Sequence, residues 1–135
     1  MASTLTVRVA SRSDLDDLTK LFDQYRQFYQ CAPDLPAARN WLEKNIDQER
    51  STVFVADIRG TLLGFTQLYP ALCSVDLVKY FVLYDLFVDP SGRRSGVARA
   101  LMNAASEWAK AQGAARLDLE TARDNAPGQA LYRDL

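Results

Sequence analysis

Residues 84–102, YDLFVDPSGRRSGVARALM, constrain the fold of this chain more than any other stretch. Residues 84–88 read as a buried strand that breaks at Asp89-Pro90 and enters a polar turn holding Gly92 and Gly96. A helix follows from about Val97. A strand feeding a glycine-containing turn at a helix start aims unbonded backbone N–H groups and the positive end of the helix macrodipole at one point. Such a point suits a phosphate group. The partner implied is a phosphorylated cofactor. Extended backwards, residues 77–88 form a nearly continuous apolar strand, expected to be buried on both faces. Asp85 lies in its interior, where an unpaired charge would cost several kcal/mol, so it must be paired, hydrogen-bonded or raised in pKa. That makes Asp85 a site candidate, with a structural ion pair as the competing reading.

Composition narrows the class of chemistry. The chain has 135 residues, 48% of them hydrophobic, which fits one domain with a two- or three-layer core and leaves no room for a second. Sixteen basic and seventeen acidic residues give a net charge of −1, so no basic field argues for nucleic acid. There is no histidine, and the two cysteines, Cys31 and Cys73, are far apart. Structural zinc, Ser-His and Cys-His nucleophiles and an imidazole base are thereby excluded. The first residues lack the pattern of a secretory leader, and no run reaches the roughly 18 apolar residues of a membrane span. The expectation is a cytoplasmic, reduced, soluble protein.

Along the chain, Leu5, Val7 and Val9 alternate with Thr6 and Arg8, the period of a half-buried first strand. Ser13 and Asp16 resemble a capping box, and Leu15, Leu18, Leu21, Phe22, Tyr25, Phe28 and Tyr29 recur at helical spacing. The aromatic run Tyr25, Phe28, Tyr29 is expected in the core, with Tyr29 the residue to watch as a pocket wall. Pro36 opens a second helix over residues 37–47 that is expected to bury Trp41, Leu42 and Ile46. Residues 52–58 and 62–69 form a hairpin around Arg59-Gly60-Thr61, and residues 70–76 a connecting loop. The helix from Val97 carries Val97, Leu101, Ala104, Ala105 and Trp108 on one face and ends at Gly113. Residues 116–121 alternate as a fifth strand, and Pro127 opens a last short helix with Leu131 and Tyr132. The order is βααβββαβα.

This order, with Arg93-Arg94-Ser95-Gly96-Val97-Ala98 after the fourth strand, resembles the GNAT superfamily of acetyl-coenzyme A-dependent N-acyltransferases. Their pyrophosphate loop runs Arg or Gln, two residues, Gly, one residue, Gly or Ala. The flanks match as well: DLFV and Pro90 before the loop, LM after it, then LDLETARDN and LYRDL, with seven residues from Asn125 to Tyr132. The rival loop GxxxxGK[ST] needs a Lys and a hydroxyl after Gly96 that are absent here. The resemblance implies an α/β (α+β) fold with a single mixed, mostly antiparallel sheet flanked by helices over one domain, residues 1–135. Acetyl-coenzyme A is the implied co-substrate. Backbone amides of residues 94–99, with Arg93, Arg94 and Arg99, would meet its diphosphate. Leu86, Phe87 and Val88 would pair with its pantetheine arm where the neighbouring strand splays away, Ser95, Val97 and Ala98 complete the loop, and Asn125 matches a residue that binds the arm. Tyr132 matches the general acid toward the coenzyme A thiolate.

Without histidine, the simplest reaction is direct attack of a neutral primary amine on the thioester, with a backbone N–H such as that of Val88 polarising the carbonyl. The base that takes the ammonium proton is Asp85, Glu120 or a water chain. Asp85 is favoured, although it stands one residue off the position where some family members carry a glutamate. The acceptor stays open among polyamines, amino acids, aminoglycosides and protein amino termini, with some likeness to the diamine-acetylating branch. Family members usually continue past the LYxxx segment with two more strands. A chain ending at Leu135 is therefore expected to leave strand five as an edge that a second copy covers in a homodimer. The alternative to an active enzyme is a non-catalytic acyl-coenzyme A binding domain or an inactive, truncated acetyltransferase.

Overall fold

The computed structural model describes residues 4–120. Strands β1 (Leu5–Val9), β2 (Thr52–Ile58), β3 (Thr61–Cys73), β4 (Val78–Val88) and β5 (Leu117–Leu119) make one sheet in the order β1-β2-β3-β4-β5. Every pairing is antiparallel except β4 with β5, which is parallel. Helices α1 (Leu15–Phe28) and α2 (Leu35–Asp47) cover one face, packing Leu15, Leu18 and Leu42 on Val53, Val55 and Phe65. Helix α3 (Val97–Ala111) covers the other through Val97, Leu101 and Ala105 against Phe54, Leu68 and Leu83. The mixed, mostly antiparallel sheet flanked by helices is the expected architecture. The final short helix lies outside the described residues.

Several local expectations are corrected. The capping box is formed by Ser11 and Asp14, not Ser13 and Asp16, and caps a short 3-10 turn, Arg12–Asp14, that leads directly into α1. The Ser11 N–H donates to the Asp14 carboxylate at 2.8 Å, and the same carboxylate accepts two bonds from Arg8. Arg8 also donates to Asp57 at 3.0 Å, tying β1 to the cap and to β2. Helix α2 starts two residues early, since Asp34 accepts from the Ala37 N–H and Pro36 falls in its first turn. Trp41 is 46% exposed, with the Arg50 guanidinium over its ring at 5.0 Å. The loop expected at residues 70–76 is mostly strand: β3 and β4 run on as a long hairpin whose turn exposes Val75 and Leu77. This end is highly exposed, and β4 is not buried on both faces. Burial in it alternates, and Tyr84 is 52% exposed.

The sheet has one irregularity that sets the site. Gln67 pairs with Asp85 but Leu68 pairs with Leu83, so Tyr84 is an extra residue in β4. A bulge of this kind exchanges the faces on either side of it. Phe81 and Leu83 before it, and Leu86 and Val88 after it, all pack on the α3 side. Phe87, and by alternation Asp85, is turned toward α1.

Candidate functional site

Among the described residues the pairing of β4 with β5 runs to Leu83 with Leu119, followed by one bond from the Glu120 N–H to the Leu83 carbonyl at 3.0 Å. The β5-facing edge of residues 85–88 is therefore without a strand partner among the described residues. The residues past Glu120, on which the expected splay depends, lie outside the described residues. The end of β4 leads into the turn at the start of α3.

That turn is built from local backbone chemistry. The Asp89 carboxylate accepts from the Ser91 hydroxyl at 2.5 Å and from the Ser91 N–H at 3.0 Å, which caps the 3-10 turn Pro90–Gly92. The hydroxyl bond first, and the N–H bond after it, hold the carboxyl below its usual range. Arg94 and Gly96 both sit in the left-handed region, with φ 63° and 82°. Alternation of this kind curls successive N–H groups around a shared anion position. The first intrahelical bond of α3 is from the Ala100 N–H to the Gly96 carbonyl, so the N–H groups of Val97, Ala98 and Arg99 have no acceptor within the helix. A Cβ built at Gly96 meets no protein atom within 4 Å. The space in front of the turn is thus open to a ligand and would be narrowed by any side chain there. The residues present fit a diphosphate.

A cavity of about 470 Å³ lies over this turn. It gathers Leu86, Phe87, Val88, Arg93, Arg94, Gly96, Val97, Ala98 and Arg99, nearly all the residues expected to hold a cofactor. Ser95 is not among them, because its hydroxyl donates back to the Gly92 carbonyl and braces the loop. Arg93 is partly committed as well. Its Nε donates to the Val88 carbonyl at 2.9 Å and its guanidinium lies 5.6 Å from the Phe87 ring centre, so it fastens the loop to the strand end. Asn125 and Tyr132 lie outside the described residues. The aromatic run of α1 departs from its expected core role. Tyr25 is half-buried against Phe22, Phe65 and Phe87, but Phe28 is 53% exposed, and Tyr25, Phe28 and Tyr29 all line the cavity.

A second cavity of about 360 Å³ shares Tyr25 and Tyr29 with the first and contains Arg26, Cys31, Tyr84, Asp85 and Glu120. The favoured base candidate, Asp85, and its alternative, Glu120, therefore stand together, next to the cavity over the turn. Among the described residues, Asp85 has no ion-pair partner. Burial pushes its carboxyl above the ordinary range, while hydrogen bonds from Gln67 and Tyr25 pull it back. The Gln67 Nε2 donates to Asp85 at 2.9 Å, and its Oε1 accepts from Asn45 at 2.9 Å and Ser51 at 2.7 Å. Asn45 in turn accepts from the Arg50 Nε at 2.9 Å. Gln67 and Asn45 are fully buried, so a polar chain crosses the core from Arg50 to Asp85. The amide of Gln67 cannot turn over without breaking its bonds to Asn45 and Ser51, and so it presents its NH₂ to the carboxylate. Sequence reasoning missed Gln67 and Asn45, and it did not connect Tyr25 with Asp85. The available signal was Thr66-Gln67 in the middle of an otherwise apolar strand, where a buried amide demands partners.

The model of the acetyltransferase (GNAT) family matches residues 15–135 of this chain. An uncharacterized N-acetyltransferase of Bacillus subtilis (strain 168) is 38% identical over 128 residues, 95% of this chain and 86% of its own length. The crystal structure of a probable acetyltransferase superposes with a TM-score of 0.89 at 34% identity, covering 96% of this chain and 87% of that one. An aminoglycoside N-acetyltransferase in complex with CoA shares the fold with a TM-score of 0.86 at 21% identity, over 99% of this chain and 88% of that one.

Proposed function

Because the chain belongs to the GNAT acetyltransferase family, we propose that it is an N-acetyltransferase using acetyl-coenzyme A to acetylate a primary amine by direct attack. The observation that carries this reading is the junction of the two cavities at Tyr25 and Tyr29, one facing the anion turn and the other facing Asp85. Acetyl-coenzyme A would supply an activated acyl thioester. In this reading the amides of Val97, Ala98 and Arg99, with the side chains of Arg94 and Arg99, hold its diphosphate, and the open edge of residues 86–88 holds its arm. Juxtaposition of the two substrates supplies much of the rate, because an attack between bound partners avoids the entropy of a bimolecular encounter.

Asp85 is the assigned base. A carboxylate raised in pKa by burial is a better proton acceptor than an exposed one, and Gln67 and Tyr25 keep it oriented. It takes the proton lost from the attacking nitrogen as the C–N bond forms, and Tyr132 protonates the departing sulfur as the C–S bond breaks. An acidic pair, Asp85 and Glu120, favours an acceptor that arrives as a cation. No helix among the described residues is long and apolar enough to cross a membrane. A cytoplasmic protein, with β5 at the sheet edge covered by a second copy, belongs to the same reading. A monodisperse monomer by light scattering would count against the dimer.

The test is thiol release from acetyl-coenzyme A across a panel of amines, alongside Tyr132→Phe and Asp85→Asn. Amine-dependent release that both variants reduce is the expected result. Cofactor binding without release from any amine would sink the enzymatic reading and leave a binding domain.

A further inference from the structure

The cavity beside Asp85 holds a cation that transfer to a simple amine does not use. Arg26 stands in the last turn of α1 and lines this cavity together with Tyr29, Cys31, Tyr84, Asp85 and Glu120. Its Nη1 is buried without a hydrogen-bond partner. Other arginines near the core are engaged: Arg8 with Asp14 and Asp57, Arg12 with Glu43 and Asp47, Arg50 with Asn45, Arg116 with Asp118. Among the described residues, no carboxylate pairs with Arg26. A buried donor left unsatisfied is costly, more so when it belongs to a charged group, and native structures keep few of them. Nη1 itself has almost no accessible surface, but the Arg26 side chain as a whole is only half-buried and lines this cavity as well as another beside Phe22, Ala37, Ala38 and Trp41. A ligand here therefore meets a cation that no carboxylate among the described residues neutralises.

We propose that the acceptor is a small amino carboxylate, bound with its carboxylate on the Arg26 guanidinium and its amino group toward Asp85 and Glu120. This inference rests on the acetyltransferase reading above and refines its acceptor. A guanidinium presents parallel N–H groups in a planar fork that matches the two oxygens of a carboxylate. One cation and two carboxylates in the wall of one cavity suit a zwitterion, with the nitrogen at the base candidate. A polyamine would instead bring a second cation to Arg26. The volume, about 360 Å³, is at the small end for ligand cavities and suits a compact acceptor. The chemistry balances without a further reactant: the amine nitrogen forms the amide bond, its proton passes to the carboxylate base, and the thiol leaves.

The experiment compares matched pairs of acceptors that differ only in carboxylate against carboxamide, such as β-alanine with β-alaninamide and glycine with glycinamide, scored by kcat/KM for thiol release. The wild-type protein is expected to favour the acid over its amide by about 10- to 100-fold, the range for losing charge-assisted bonds. In Arg26→Met this ratio is expected to collapse toward one through a rise in KM for the acid. Arg26→Lys, which keeps the charge and tests the fold independently, is expected to retain an intermediate ratio. An unchanged ratio in both variants, or a wild-type preference for amides and diamines, overturns this inference and leaves the acetyltransferase reading standing. Absence of thiol release with every acid, amide and amine overturns both.

Discussion

Replacing Gln67 with leucine tests whether the polar chain behind Asp85 orients it. The substitution removes three bonds at 2.7–2.9 Å from a side chain that is fully buried. Their consequences differ. Ser51 is half-buried and can turn its hydroxyl to water, at little cost. Asn45 is 1% exposed; its oxygen keeps the bond from Arg50, but its NH₂ keeps only a 3.4 Å contact to the Tyr69 hydroxyl and is left close to unsatisfied. An unsatisfied buried donor costs about 1–3 kcal/mol, and this contribution dominates. A domain of this size typically holds about 5–15 kcal/mol, so the variant should remain folded. Asp85 loses a donor that lowers its pKa and keeps Tyr25, so its carboxyl moves further up. If Asp85 is the base, the acid limb of the pH–rate profile must move to higher pH, because the reactive form is the deprotonated one. Denaturant unfolding reads the first effect and thiol release from pH 5 to 9 reads the second. A stability loss below about 0.5 kcal/mol, the size of a surface substitution, would refute the buried chain. An unmoved acid limb would refute its link to the base.

Asp85→Asn should change stability in a pH-dependent way. Burial raises the folded-state pKa of Asp85 above its unfolded value, so its favourable contribution is fully present below the ordinary carboxylate pKa and is lost as pH rises through the folded value. Relative to the variant, the wild-type protein should therefore gain stability on going from pH 7 to pH 4; guanidinium midpoints showing the opposite trend would contradict the assignment. Gly96→Val forces a β-branched residue into φ 82°, a strain of about 1–2 kcal/mol, and places atoms in the open space before the turn. Calorimetry should show coenzyme A affinity reduced more than tenfold, and retained affinity would dismiss the turn as the diphosphate site. Arg93→Ala removes the bond to the Val88 carbonyl and the contact with Phe87. It should loosen the loop and weaken cofactor binding less than Gly96→Val; equal or greater loss would make Arg93 a direct phosphate ligand.

How much of the site could be read in advance depended on the distance over which each signal acts. The sequence by itself determined the anion turn and the element order. A strand that stops at Pro90, a glycine at the helix start and an apolar stripe through α3 are each written within a dozen residues and follow from backbone sterics and periodicity. It also singled out Asp85 as a buried charge needing an explanation. Tertiary structure decided what that charge does. Strand periodicity alone would place Asp85 with Phe81 and Leu83 on the α3 side, and only the extra residue Tyr84, visible in the pairing with β3, turns it toward α1. Its partners come from far along the chain: Gln67 lies 18 residues away and Asn45 a further 22 from Gln67. Arg26, Phe28 and Tyr29 occupy ordinary helical positions in the sequence and become cavity walls only because the end of α1 comes to lie beside β4. Local patterns encode conformation residue by residue, whereas a bulge, a buried hydrogen-bond chain and a cavity between a helix and a strand are properties of pairs that meet only when the chain has folded.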